Sequence, residues 1–208
     1  MTAMSGRRVL ISGAAATLLT ASAQAADIDA AEAIRLLKSG GYVIYFRHGE
    51  TGSQGADRAP DMADCSTQRN LNDVGRRQVQ QLGEDFRALG IPVGKVLSSQ
   101  WCRCWQHAEA MFGKGGYQIS ESVSLARSYP AVTDADRQLK REQLRALLVE
   151  VPPAGRNTVL ISHGNNVLML TGYHPNTQGE AVIFRPDGQG GYARLASVQP
   201  GDWTKARR

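Results

Sequence analysis

Tyr42-Val43-Ile44-Tyr45-Phe46-Arg47-His48-Gly49 is the stretch from which the fold can be read. Five consecutive apolar residues are too few for a helix of ordinary length and match a strand buried on both faces. Arg47, His48 and Gly49 then follow at its carboxyl end. Upstream, Asp29 opens a short helix from Ala30 to Lys38 that Gly40-Gly41 stops. Downstream, Val79, Leu82, Phe86 and Leu89 recur at steps of three and four, which predicts an amphipathic helix from about Asp73 to Gly90. Lys95 to Ser98 reads as a second strand, Trp101 to Phe112 as a helix, and Tyr117 to Ser120 as a third strand. Asp134 to Val149 is helical, with Leu139, Leu144, Leu147 and Leu148 on one side, and Val159 to Ser162 is another buried strand. Ala181 to Arg185 and Tyr192 to Val198 flank Pro186-Asp187-Gly188-Gln189-Gly190-Gly191, a hairpin signal. Strands alternating with helices predict an α/β fold: a three-layer α/β/α sandwich with a mostly parallel central sheet and a late hairpin, one domain over residues 26–208.

The first 25 of the 208 residues carry a different signal. Arg7 and Arg8 precede the apolar, small-residue run Val9 to Ala23, and Ala23-Gln24-Ala25 reads as a cleavage site, the pattern of a signal peptide. The paired arginines leave the general secretory and the twin-arginine routes both open. The expectation is a periplasmic or secreted protein with no stable membrane insertion after signal removal, because the run is short and weakly apolar for a span. Removing two arginines and no acids takes the net charge from +5 to +3. That balance suits an anionic substrate. No basic run interleaves with aromatics, so no nucleic-acid partner is expected.

In open α/β sheets, ligands bind beyond the carboxyl ends of the strands. Arg47-His48-Gly49 follows one strand, His163-Gly164 follows another, and Arg103 lies in the first turns of the helix after a third. Two arginines and two histidines thus reach one edge from three segments. A neutral imidazole is a competent nucleophile toward phosphorus, and arginines supply fixed bidentate charge to phosphoryl oxygens. No phosphate-cradling G-x-x-x-x-G-K-[ST] loop, G-x-S-x-G elbow or H-E-x-x-H helix competes with this reading. His107 and His174 have no such partners and read as structural.

These motifs resemble a known family. Phe46-Arg47-His48-Gly49-Glu50-Thr51 resembles the R-H-G-E-T signature of the histidine phosphatase superfamily, which includes phosphoglycerate mutases and acid phosphatases. Ser98-Ser99-Gln100-Trp101-Cys102-Arg103 resembles its second-arginine motif and Ser162-His163-Gly164 its late histidine motif. Asp64-Cys65-Ser66-Thr67-Gln68-Arg69-Asn70-Leu71 further resembles an exported branch that includes lipopolysaccharide core heptose-phosphate phosphatases. The resemblance implies that His48 is phosphorylated and that Arg47, Arg103 and His163 complete the catalytic pocket. It makes Gly49, Thr51 and Gln54 substrate-binding, and it requires no metal or other cofactor. The implied activity is phosphate-monoester hydrolysis on a small phosphorylated or lipopolysaccharide-type anionic substrate. The alternative is a catalytically weak phosphate- or phosphosugar-binding protein of the same fold.

Two matters stay open at this level. No acid motif follows Tyr117 where many members place a proton-donating glutamate; Glu121, Asp134 and Asp136 are positional candidates only. A pocket without such an acid would favour substrates with good leaving groups. Of the cysteines, Cys102 and Cys104 point to nearly opposite sides of a helix, which disfavours a metal shared with His107. Cys65 is expected to pair with one of the two, Cys104 first.

Overall fold

A computed structural model describes residues 27–52, 57, 60–124 and 133–208, so the signal-peptide reading and Gln54 lie outside the described residues. The elements run α1 (Ala30–Leu37), β1 (Val43–Arg47), α2 (Asp73–Leu89), β2 (Val93–Ser98), α3 (Cys102–Phe112), β3 (Gln118–Ile119), α4 (Asp134–Val149), β4 (Asn157–Ser162), α5 (Gly164–Thr171), β5 (Ala181–Pro186), β6 (Tyr192–Val198) and α6 (Pro200–Ala206). One six-stranded sheet has the order β3-β2-β4-β1-β5-β6. β1, β2, β3 and β4 are mutually parallel, and β5 alone runs against the rest. The expected sandwich, mostly parallel sheet and late hairpin are all present.

The period-two pleat explains the layers. Ile44 and Phe46 of β1, with Val159 and Ile161 of β4, enter one apolar cluster against α1, α2, α3 and Trp203 of α6. Val43, Tyr45 and Leu160 face the other way, against Leu144 and Leu148 of α4 and Val167 of α5. A central strand buried on both faces has no room for polar alternation, which is why β1 reads as a continuous apolar run. Among the described residues, no helix is long and apolar enough to cross a membrane.

The helix boundaries follow the chain's capping residues. Asp29 accepts from Glu32 N, Asn72 accepts from Gly75 N, and Gly90 ends α2 in the left-handed region at φ 67°. Thr133 and Asp136 form a reciprocal capping box at α4. Leu139, expected on the buried side of α4, is 52% exposed; Leu144 and Leu148 enter the core and Leu147 packs against it. β3 shrinks to two residues at the sheet edge. α5 and α6 carry no sequence expectation. α5 opens Gly-Asn-Asn, residues with poor helix propensity, and α6 is held by Trp203 packed 4.7 Å from the Phe86 ring.

α2 and α3 approach closely because position 83 has no side chain. A Cβ on Gly83 would lie 2.8 Å from Met111 Cα and 3.0 Å from Met111 O, both backbone. Gly83→Ala should therefore lower unfolding free energy by about 1–3 kcal/mol in denaturant titration. Gly201→Ala, with nothing within 4 Å of its Cβ, should cost nothing or stabilise α6 slightly.

Candidate active site

The parallel register brings the candidate site residues together. Arg47 of β1 pairs with Ser162 of β4, and Ser98 of β2 pairs with Ile161 of β4. Beyond those pairs, His48 N donates to Ser162 O (2.9 Å) and Ser99 N to Ile161 O (2.9 Å). The His48 and His163 rings consequently lie 5.5 Å apart in an edge-to-face arrangement. Both histidines are buried, at 4% exposure each.

Each ring is oriented by one nitrogen. His48 Nδ1 lies 2.8 Å from Gly49 O, so it carries the proton and leaves Nε2 unprotonated for attack. His163 Nε2 lies 3.0 Å from Ser99 Oγ and 3.5 Å from Cys104 Sγ. Tyr45 reaches across from β1 to donate to His163 O (2.8 Å), fixing the backbone at that turn. Burial, followed by the positive charge of Arg103, holds both imidazoles well below their usual pKa. Both are neutral at physiological pH.

Arg103 is 2% exposed, and its guanidinium lies 4.5 Å from the Trp101 ring centroid. Its Nε is buried with no hydrogen-bond partner among the described residues, while Nη1 meets Asp57 Oδ1 at 3.3 Å. A buried cation with an unused donor is costly unless an anion completes its shell. Arg47 is half-buried at the same edge, and its Nη1 donates to the carbonyls of Pro175 (2.8 Å) and Asn176 (3.0 Å). Gly49 lets α2 approach the turn after His48: a Cβ there would meet Val79 Cγ1 at 2.6 Å. Thr51 exchanges two hydrogen bonds with the Gln178 amide, accepting at Oγ1 and donating from N. Its hydroxyl proton is left to donate.

The structure adds two charged residues that the motifs did not single out. Arg69 N and Nε donate to Asp57 Oδ1 (2.9 Å) and Oδ2 (3.3 Å). Asp57 therefore bridges Arg69 and Arg103. Both Asp57 and Arg69 fall in the long polar stretch Gly52–Asn70, whose length and polarity point to a functional loop without singling out either residue. The loop is fastened to the start of α3 by a Cys65–Cys102 disulfide, Cα–Cα 5.7 Å. Gln68 adds to this by accepting from Cys102 N (2.9 Å). The expected preference for Cys104 is thus corrected. Cys102 is the first residue of α3 and faces the loop, whereas Cys104 points inward to His163, where burial pushes its thiol up to about 12.

Other candidates lie apart from this group. Asp136 is engaged in the α4 capping box, Asp134 pairs with Arg137 at the surface, and Glu121 is exposed. None of the three bonds to a pocket side chain among the described contacts. His107 is in the core, 5.4 Å from the Phe46 ring, with Nε2 3.1 Å from Met111 Sδ. His174 packs over Gly164, where an added Cβ would lie 2.8 Å from its Nε2.

Comparison with known proteins bears on the fold and on part of the chain. Residues 43–127 match the histidine phosphatase superfamily (branch 1). Solved structures share the phosphoglycerate mutase-like fold. One is the protein histidine phosphatase SixA complexed with tungstate: 20% identity, TM-score 0.55, covering 77% of this chain and 98% of that one. Another is a mycobacterial glucosyl-3-phosphoglycerate phosphatase with VO3: 13% identity, TM-score 0.53, covering 77% and 100%. A third is an open-reading-frame product of Mycobacterium tuberculosis: 16% identity, TM-score 0.56, covering 77% and 98%. No curated protein matches the chain in sequence.

The histidine environments set a pH dependence. His48 and His163 have lowered pKa values, and burial pulls His107 down to about 3. Below about pH 6.5 the unfolded chain takes up protons that these folded imidazoles refuse, so stability is full above that pH and declines as pH falls. His107→Leu should make the slope of unfolding free energy at about pH 5 shallower by roughly one proton, about 1.4 kcal/mol per pH unit. Denaturant titrations across pH check this, and an unchanged slope would contradict the buried neutral state.

Proposed function

We propose that this chain is an exported phosphatase of the histidine phosphatase superfamily, hydrolysing phosphate monoesters through a phosphohistidine on His48. One observation carries the reading. A His48 Nε2 that bonds to none of the described residues sits beside a neutral His163 and a buried Arg103 whose Nε has no partner among them. A phosphoryl group offers an acceptor to that donor and phosphorus to the imidazole.

The pocket groups then divide the work. Arg103 and Arg47 neutralise the equatorial oxygens, and the Thr51 hydroxyl and His163 add donors to them. His48 Nε2 attacks phosphorus, the ester oxygen leaves, and water later cleaves the N–P bond to return the imidazole. The fixed Nδ1–Gly49 contact keeps the attacking tautomer in place throughout. None of these steps calls on a cofactor.

Two features support export: the signal-like pattern of residues 1–25, and the Cys65–Cys102 disulfide, which suits an oxidising compartment. The substrate we favour is a small phosphorylated or lipopolysaccharide-type molecule. The support is the likeness of Asp64–Leu71 to exported heptose-phosphate phosphatases, together with three arginines about one pocket. Two of the neighbouring phosphatase structures hold oxyanions, tungstate and VO3.

Rapid quenching during turnover of an aryl phosphate should trap acid-labile phosphate on His48. Arg103→Ala should slow turnover by at least about a hundredfold, and Arg103→Lys should recover little, because an ammonium lacks the planar fork. Undiminished hydrolysis by His48→Ala would reject the mechanism. Tight vanadate binding with no turnover by the wild type would favour the phosphate-binding alternative.

A further inference from the structure

Arg47 is oriented without a salt bridge. Among the described residues it forms no ion pair, and its Nη1 donates to the carbonyls of Pro175 (2.8 Å) and Asn176 (3.0 Å). Nε and Nη2 are left over for a phosphoryl group. Two peptide carbonyls therefore set the direction of the planar fork, and both belong to residues 172–180, the connection from α5 to β5. Such a connection keeps a direction only where other contacts offset the entropy of fixing it.

Glu180 supplies those contacts. It is 1% exposed, and its carboxylate accepts from the Tyr173 hydroxyl (2.5 Å) at Oε1 and from Thr177 N (3.2 Å) at Oε2. The two residues it grips flank Pro175 and Asn176. Tyr173 is pinned in turn by Arg194 of β6, whose guanidinium lies 4.3 Å from its ring centroid. The backbone of Glu180 also touches the site, since its carbonyl accepts from Arg47 N (3.0 Å). The far half of the connection is fastened separately: Gln78 Nε2 donates to Gln178 O (3.0 Å), and the Gln178 amide holds Thr51. The grip of the Glu180 side chain thus leads to Arg47 and not to Thr51. Burying a carboxylate is costly, and packing alone at the start of a strand does not call for one.

Resting on the phosphatase reading above, we propose that Glu180 is a positioning residue for that reaction: by clamping Tyr173 to Thr177 it aims the Arg47 guanidinium at the phosphoryl group. It touches no reacting atom. Its charge adds a lesser effect, since burial disfavours the Arg47 cation and the nearby Glu180 favours it.

The test is a double-mutant cycle read as kcat/KM for 4-nitrophenyl phosphate and as affinity for orthovanadate. Glu180→Ala should lose at least about tenfold in both, because displacing a positioned group by about 1 Å can cost up to about a hundredfold. With Arg47 already replaced by alanine, the same change should cost less than about twofold, whereas in Arg103→Ala it should keep its full effect. Glu180→Gln should retain most activity, since its amide oxygen accepts from Thr177 N while its NH2 donates to the Tyr173 phenol oxygen. Tyr173→Phe removes one grip and keeps the ring; it should lose a few-fold, again only where Arg47 is present. That variant carries the test if Glu180→Ala does not fold. Equal losses with and without Arg47 would overturn the proposal and make Glu180 a staple of the turn. Glutamine as damaging as alanine would overturn it too, leaving charge rather than aim as the contribution. No turnover by the wild type removes the phosphatase reading and this role with it; turnover with additive losses removes only the role.

Discussion

The site depends on one constraint: the parallel register in which β4 lies between β1 and β2. Because Arg47 sits opposite Ser162 and Ser98 opposite Ile161, three chains leave the sheet at the same level. A slip of one residue in either pairing would turn His48 or the Ser99 side of β2 to the opposite face. The register is enforced by the core itself, since Ile44, Phe46, Val159 and Ile161 must all meet one helical layer while Val43, Tyr45 and Leu160 meet the other. Packing therefore decides the catalytic geometry, and the reacting side chains need contribute little to the fold.

That division is needed because the pocket works against stability. Arg103 is almost fully buried with an unused Nε, and two imidazoles are kept neutral by burial beside it. Each is a group a stability-driven core would exclude. The surroundings offset this with fixed partners on the far sides: Gly49 O for His48, Ser99 for His163, Trp101 for the guanidinium. Among the described residues, Asp57 alone forms an ion pair with Arg103.

The sequence made the sheet edge legible because each part was local. A run of apolar residues, then a charged or titratable residue, then glycine, recurs at His48 and His163, and strand-end placement needs only that each strand be recognised. The hairpin was equally local, since Asp187 accepts from Gln189 N and Gly191 N within its own turn. What escaped were features that depend on three-dimensional meeting. Nothing in residues 102–104 says which sulfur faces the loop until α3 has a direction against the sheet. Asp57 is one of three aspartates in a loop and becomes special only where Arg69 and Arg103 converge. Helix α6 is decided by Trp203 finding Phe86, far away in the chain.

These two kinds of legibility coincide with two parts of the site. His48, His163 and Arg103 are delivered by the sheet and the helix that follows it, elements that any chain of this fold must build. Arg69 and Asp57 come from a loop that no sheet pairing dictates, apart from the single bridge of Thr51 to Leu71. Such a loop costs conformational entropy to fix, and here it is fixed by a covalent tie and by amide side chains, with Gln68 and Asn70 bonding its own carbonyls. In the proposed mechanism the rigid edge performs the phosphoryl transfer, while the tethered loop brings Arg69 and Asp57 up to Arg103. The nucleophile's position then follows from the fold, whereas the charge set beside Arg103 follows from how one loop is tied down.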